Sequence, residues 1–230
     1  MTLQKIPKTI ISAILIAVIS LFTSCLTSKK VDRFVGKQYN NELPKQEKRK
    51  NSDINFTTSV NSFNSGNISM TDTKTSDMLP LIFYWQWDYK NTCTLNPSIA
   101  INTFTKSVYL QANKGLNQKL NGQKLELTVE QIPNIFAIDD KAHLIWVIYA
   151  FGWDKVSVQP DLKDLIVSYK FLQNDSSVKS GRITIKNNAQ NKNLRFFQSW
   201  KSATSEYLTQ YDDDITNMSK VFVNKLILEL

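Results

Sequence analysis

The residues with the clearest potential for acid–base chemistry are His143, the single histidine, and the neighbouring Asp139 and Asp140. A hydrolytic site would need a nucleophile aimed at the imidazole, and a zinc site would need further nitrogen or sulfur ligands. Cys93 is a candidate nucleophile only if a base lies near its thiol. We therefore interpret the two aspartates as a turn before a strand that opens at His143, and Cys93 as a small buried side chain. The sequence predicts no catalytic residue and no enzyme.

Trp85, Trp87 and Tyr89 alternate along one predicted strand and are the candidate ligand-binding residues. If exposed, the three rings would form a row on which a glycan or a lipid stacks, at about 1 kcal/mol per contact. Residues 82–84 are also apolar, which favours a strand buried on both faces. The sequence leaves both interpretations open.

Other ligand classes have weaker support. Asp212, Asp213 and Asp214 lack the alternating ligands of an EF-hand, so we interpret them as a solvated helix face or a helix cap. The six glycines are scattered and form no phosphate-binding loop. The net charge of +8 allows contact with anionic lipid, but the basic cluster at 45–50 is interrupted. We therefore predict no metal, no cofactor and no nucleic-acid partner.

The amino terminus has the composition of an export signal. Two lysines precede the apolar run Ile10–Phe22, which is shorter than the roughly 20 residues of a membrane-spanning helix. Two small residues follow, and then Cys25. This order resembles the lipobox of bacterial lipoproteins, in the loose form seen in Bacteroidota, with Phe22 where the strict form has Leu.

The resemblance implies that residues 1–24 are a signal peptide and that lipid is joined to the Cys25 thiol, usually with acylation of the new amino terminus. Two or more chains anchor a protein stably, because each buried methylene contributes about 0.8 kcal/mol. Cys93 would then be a lone thiol. No acidic cluster follows Cys25, which by the same resemblance favours the periplasmic face of the outer membrane. A plain secretory signal or an uncleaved short anchor is the alternative.

The mature chain divides into a tether and one domain. Residues 25–53 are polar, and we predict a lipidated, flexible tether with one short ordered piece around Phe34. Residues 54–230 are predicted to form a single α+β domain. Its first strand spans 54–60, a polar loop runs to Met78, a strand extends from Pro80 to Tyr89, and a loop covers 91–97.

The remaining pattern predicts a helix from Asn102, as its N-cap, to Lys114, with Gly115 beyond its end. Leu125, Leu127 and Val129 alternate with polar residues and indicate a half-buried strand. Residues 143–158 are predicted to form one central strand buried on both faces. A hairpin follows over 165–172 and 178–186, and a helix covers 197–228.

Together these elements predict an α+β fold: a mostly antiparallel sheet of about five to six strands, one central helix and a long carboxyl-terminal helix. Over residues 79–230 the order of elements is similar to the amino-terminal domain of the Tol-Pal propeller protein and to auxiliary lipoproteins of ABC-type lipid transport systems. Residues 117–146 also resemble uncharacterised Bacteroidota lipoproteins. Neither resemblance carries over a functional residue. We predict a membrane-anchored, non-enzymatic accessory or scaffold subunit with an envelope protein partner, or alternatively a glycan- or lipid-binding lipoprotein.

Overall fold

The computed structural model describes residues 26–39, 53–61, 66–79, 83–146, 150–174, 176–195 and 198–229. The predicted signal peptide, Cys25 and residues 40–52 of the predicted tether lie outside the described residues. The helices are α1 (Ser28–Gln38), α2 (Pro97–Gln111), α3 (Asn117–Leu120) and α4 (Trp200–Glu229), with a π-helical turn at Ala112–Leu116. The strands are β1 (Ile54–Thr58), β2 (Asn67–Leu79), β3 (Tyr84–Leu95), β4 (Lys124–Gln131), β5 (Ile135–Trp146), β6 (Ala150–Pro160), β7 (Leu165–Gln173), β8 (Ser176–Ile185) and β9 (Lys192–Asn193). No helix in these ranges is long and apolar enough to cross a membrane.

The strands form two sheets, and the chain has the α+β fold that the sequence predicts. One sheet has the order β1-β4-β7-β8, and the other has the order β2-β3-β5-β6-β9. β1 lies parallel to β4, and the other strand pairs of the described chain are antiparallel. The strands are more numerous than predicted and form two sheets instead of one. One predicted loop is the strand β2, one predicted strand is a hairpin, and the short β9 adds a further strand.

The core lies where α2 and α4 pack against the sheets. Phe104 of α2 is fully buried, with ring centroids 6.1 Å from Phe56 of β1 and 5.4 Å from Phe222 of α4. Nearer the amino end of α4, the Tyr207 ring packs on the Phe136 ring of β5, with a centroid distance of 4.9 Å. α4 therefore contributes to the packing against both sheets.

The central helix begins earlier than predicted. Asn96, not Asn102, is its N-cap, and the Asn96 side chain accepts a hydrogen bond from the Ser98 amide at 3.0 Å. Pro97 occupies the first turn, where its missing N–H costs nothing. Because β3 continues to Leu95 and α2 begins at Pro97, the predicted loop at 91–97 is wrong. The helical path also continues past Gly115, and it ends at Asn121, which has a left-handed conformation.

The carboxyl-terminal helix is confirmed. α4 runs without interruption through Asp212–Asp214, so the acidic run neither breaks it nor caps a second helix. Its buried side recurs at spacings of three and four residues, as expected of an amphipathic helix. The buried apolar residues of this side are Ala203, Tyr207, Leu208, Tyr211, Ile215, Met218, Phe222, Val223 and Leu226.

The prediction of a flexible tether is wrong for residues 28–38. They form α1, whose N-cap Thr27 accepts a hydrogen bond from the Lys30 amide. Val31 and Val35, one turn apart, are fully buried, and Phe34 contacts Trp200 of α4 edge-on at 5.4 Å. These few apolar residues share one helical face, so α1 packs against the body although most of its sequence is polar.

The prediction of a polar loop up to Met78 is also wrong, because β2 spans these residues as an edge strand. It pairs with β3 from Asn67 opposite Leu95 to Leu79 opposite Tyr84. Threonine supports extended backbone, and an exposed edge strand needs no apolar face. β3 starts at Tyr84 and not at Pro80, where the strand was predicted to begin. Pro80 itself lies outside the described residues.

Residues 143–158 do not form one central strand. β5 ends at Trp146 and β6 begins at Ala150, and the two pair antiparallel from Trp146 opposite Ala150 to Phe136 opposite Pro160. The residues of β6 near this reversal are exposed.

The remaining strand predictions are confirmed. β1 covers most of the predicted first strand. Leu125, Leu127 and Val129 are fully buried on β4, and β7 and β8 form the predicted hairpin.

Candidate functional site

His143, Asp139 and Asp140 do not assemble into a catalytic site. All three lie within β5, so the predicted turn is wrong. Side chains alternate along a strand, so Asp140 lies on the face opposite His143. Asp139 shares the face of His143 but is about 13 Å away along the strand. Neither Asp139 nor Asp140 is therefore placed to act as a carboxylate partner of the His143 imidazole.

Cys93 is buried and free, as predicted, with no exposed surface. Burial, with a smaller contribution from the charge of Asp32, raises the pKa of its thiol to about 12. At neutral pH the sulfur is therefore a thiol and not the thiolate that nucleophilic chemistry requires. Across the described ranges, no group of three or more His, Cys, Asp or Glu side chains could hold a metal ion.

The most unusual surface is formed by the outer ends of four paired strands, which we call the arm (residues 75–79, 83–90, 139–146 and 150–156). In the body, β3 and β5 carry fully buried residues such as Cys93 and Phe136. In the arm, β3 and β5 are partly exposed, and most of the adjoining residues of β2 and β6 are exposed. The arm is thus a sheet whose two faces are both open in part to solvent.

Trp85, Trp87 and Tyr89 lie on one face of the arm and are each partly exposed. The same side of β3 continues into Asn91 and Cys93, which are fully buried in the body. The row is therefore the outward continuation of the core-facing side. Burial on both faces is wrong for this part of β3, and whether the row binds a ligand stays a prediction.

The other face of the arm carries a stack of three rings that sequence reasoning missed. The His143 ring lies between Tyr84, at 6.1 Å, and Trp153, at 4.9 Å, with small interplanar angles. The Tyr84 hydroxyl lies 2.7 Å from His143 Nδ1 and donates to Gln86 Oε1 at 3.0 Å. The stack could have been found only from the pairing of β5 with β6, which places His143 opposite Trp153.

A cavity of about 630 Å³ lies where the arm meets the start of α4. Asp140, Trp153 and Asp154 line it from the sheet, and Arg195, Gln198 and Trp200 line it from the opposite side. It therefore combines carboxylates, a guanidinium group and indole rings.

The Asp140 carboxyl on this cavity gives a testable pH dependence. Burial, followed by the charges of Asp154 and Asp139, raises the pKa of Asp140 to about 6. An unfolded aspartate titrates near 3.9, so ionisation destabilises the fold, and stability falls as pH rises from about 4 to about 6. Because the carboxyl remains partly exposed, solvent screening reduces the penalty to about 1 kcal/mol.

We therefore expect Asp140→Asn to raise the free energy of unfolding by about 1 kcal/mol at pH 7 and to have little effect near pH 4. Urea unfolding of both proteins across this range measures the difference. A gap that is the same at both pH values would contradict the assignment.

Comparison of the chain with protein-family models, with curated proteins and with solved structures gave no match.

Proposed function

We propose that this protein is a lipid-anchored lipoprotein of the bacterial cell envelope that acts as a non-enzymatic accessory subunit. Its lipid is attached at Cys25, and its partner is an envelope protein. By the resemblance of its export signal, it acts at the periplasmic face of the outer membrane.

The observation that carries this proposal is the packing of the chain directly after Cys25. Leu26 is 3% exposed, and α1 begins at Ser28 with Val31 and Val35 fully buried. Consecutive Cα atoms are about 3.8 Å apart, so lipid on Cys25 would hold the body itself against the bilayer. Such a protein is suited to presenting a fixed surface to a neighbour in the same membrane.

β2 supports the assignment of a partner-binding role. It is an edge strand of its sheet, and its backbone can receive an additional strand from another protein. Met70, 59% exposed, and Ile68, 44% exposed, offer apolar contacts beside that edge. Asp72 and Asp77 lie on the same strand, and such charges discourage unspecific edge-to-edge association.

Photo-crosslinking in the native envelope tests the proposal. A photoreactive side chain replaces Met70 on β2, and the matched control carries it at Val178 on β8, which is equally open at 60% exposure. We expect one envelope protein to be captured through position 70 and not through position 178. No captured protein above background at position 70 would count against the accessory role.

A second candidate function is binding of a glycan or lipid by the row Trp85, Trp87 and Tyr89. The partial exposure of all three rings on an open sheet face favours it. Tryptophan fluorescence titrated with envelope glycans and lipids tests this function. A shift that persists unchanged in a chain carrying Trp85→Ala and Trp87→Ala would rule out this row as the site.

A further inference from the structure

The outer end of the arm is apolar and open. Met78, Leu79, Phe83, Trp146 and Phe151, which we call the tip, are each more than half exposed. The strand register brings them to one end of the sheet, because Leu79 is opposite Tyr84, Tyr84 is opposite Ile145, and Ile145 is opposite Phe151. The Trp146 amide also donates to the Phe83 carbonyl at 3.0 Å. These side chains therefore gather at one end of the sheet, on both of its faces, and make that end apolar.

The uncharged end of the sheet is about as long as the depth to which proteins enter a membrane interface. Between Asp77 and Asp88, and again between Lys141 and Asp154, the sequence carries no Asp, Glu, Lys or Arg. From His143 to Trp146 the uncharged end of the sheet measures about 10 Å along the strands. Interfacial elements enter the boundary between headgroups and acyl chains by roughly 5–10 Å. Lys141 and Lys155, paired across β5 and β6, lie just behind this depth, where lysine side chains meet anionic headgroups.

The tip also has the residue types found at that depth. Trp is enriched at both interfaces of a bilayer, because its ring is largely apolar and its N–H remains near water. Trp146 and Trp153 are 54% and 47% exposed, and Phe151 is 66% exposed. A surface that only faced water would leave this apolar area without compensation.

The course of α1 places the start of the mature chain on the same side. Phe34 contacts Trp200 at the first turn of α4, and Trp200 lines the cavity at the root of the arm with Trp153. Farther along, burial raises the pKa of Tyr39, and the charges of the nearby Asp212 and Tyr207 of α4 raise it further. α1 thus runs in the same direction as α4, and its amino end, with Leu26, lies toward the arm. Whether Cys25 is acylated or the apolar run ending at Phe22 is retained, the bilayer is joined to the chain within a few residues of Leu26.

We propose that the tip inserts into the lipid–water interface of the bilayer that holds the amino terminus. The body is then attached at two points, the chain before Leu26 and the tip of the arm, and its orientation on the membrane is fixed. This inference rests on the membrane address of the proposed function. It leaves the part of β2 that lies in the body, around Met70, available to a protein partner.

The experiment measures depth, because two acyl chains already retain the protein on membranes and partition would not respond to the tip. Phe151→Cys receives an environment-sensitive fluorophore, and Val178→Cys is the matched control at similar exposure. The buried Cys93 thiol stays unlabelled under native conditions. The mature protein purified from the membranes of its host is reconstituted into vesicles of phosphatidylethanolamine and phosphatidylglycerol.

We expect the fluorophore at position 151 to shift its emission to the blue and to be quenched by nitroxide groups at the top of the acyl chains, with neither change at position 178. Water-like emission at position 151 would overturn the inference. Blue-shifted emission that also appears without lipid, together with a dimer mass in light scattering, would overturn the inference. The tip would then be covered by a second copy of this chain and not by lipid. The mass of the same sample keeps the two proposals apart. A chain without acyl mass whose fluorophore is still quenched would overturn only the proposed anchor at Cys25. A chain with acyl mass whose fluorophore is exposed to water would overturn only the proposed insertion of the tip.

Discussion

A chain carrying Val35→Asp is expected to release α1 from the body and to lose about 2–4 kcal/mol of unfolding free energy. Val35 has no exposed surface, and burying an unpaired carboxylate costs several kcal/mol. Detachment of α1 avoids that cost but exposes Leu26, Val31 and the valine site, whose burial contributes about 1.5–3 kcal/mol each before the chain entropy regained is subtracted. The body, with its own core around Phe104, should stay folded.

Hydrogen exchange with urea unfolding measures this result. Amides of residues 28–38 should lose protection in Val35→Asp, while those of β5 and β7 keep theirs. Arg33→Asp introduces the same side chain at an exposed position of the helix and should retain protection. Unchanged protection in Val35→Asp would show that α1 is not held by its apolar face.

The release of α1 bears directly on the proposed function. In the wild-type chain, a lipid on Cys25 would be separated from a packed helix only by Leu26 and Thr27. In the variant, an unfolded segment that reaches at least to Tyr39 would connect the body to the lipid. The arm would then have no fixed position relative to the anchor. Under the proposed function, a fixed orientation of the body would therefore depend on the burial of Leu26, Val31 and Val35 within a polar sequence.

Gly181→Ala is expected to destabilise the fold by about 2–3 kcal/mol, because the position is filled by a neighbouring ring. Gly181 of β8 is opposite Tyr169 of β7. A Cβ atom at this position would lie 2.5 Å from the Tyr169 hydroxyl oxygen and 2.6 Å from its Cζ atom. Tyr169 is 3% exposed, packs on Phe171 and donates a hydrogen bond to Glu229 at the end of α4, so its ring cannot move without disturbing the core.

Gly66→Ala is the matched control, because a Cβ there meets no atom within 4 Å. We expect this variant to be neutral or slightly stabilising, through the reduced entropy of the unfolded chain. The urea midpoint at an unchanged slope reports both effects. A Gly181→Ala chain as stable as the wild type would show that the Tyr169 ring is not held in place.

The elements that could be predicted from sequence are those whose periodicity matches their burial. Leu125, Leu127 and Val129 alternate and lie on a half-buried strand, and the spacing from Tyr207 to Leu226 marks one side of α4. α1 was predicted only as a short ordered piece around Phe34, because Val31 and Val35 are a small apolar signal among charges. β2 was missed because an edge strand exposed along much of its length has no alternation to detect.

Two boundary errors have local causes. Asn96-Pro97 is a sequence signal for an N-cap followed by the first helical residue, but the polar residues after Tyr89 favour a loop there. Between the end of β5 at Trp146 and the start of β6 at Ala150, the sequence is Val-Ile-Tyr and contains none of the usual turn residues. An apolar sequence without turn residues between two strands is predicted as one continuous buried strand.

The candidate site was only partly predictable. The alternation of Trp85, Trp87 and Tyr89 identified a shared face, but its partial exposure depends on how far the helices cover the sheet. The ring stack and the cavity join residues that are distant in sequence, such as Tyr84 with His143 and Trp153 with Trp200. Such groupings follow from strand register and helix placement, which local patterns do not specify.

Mass spectrometry of the protein purified from the membranes of its native host tests the central claim, the lipid on Cys25, most directly. Intact mass and the mass of the amino-terminal peptide define both the first residue and its modification. The account predicts a mature chain that begins at Cys25 and carries the mass of two or more fatty chains. A chain that begins at another residue, or one that begins at Cys25 without acyl mass, would contradict it.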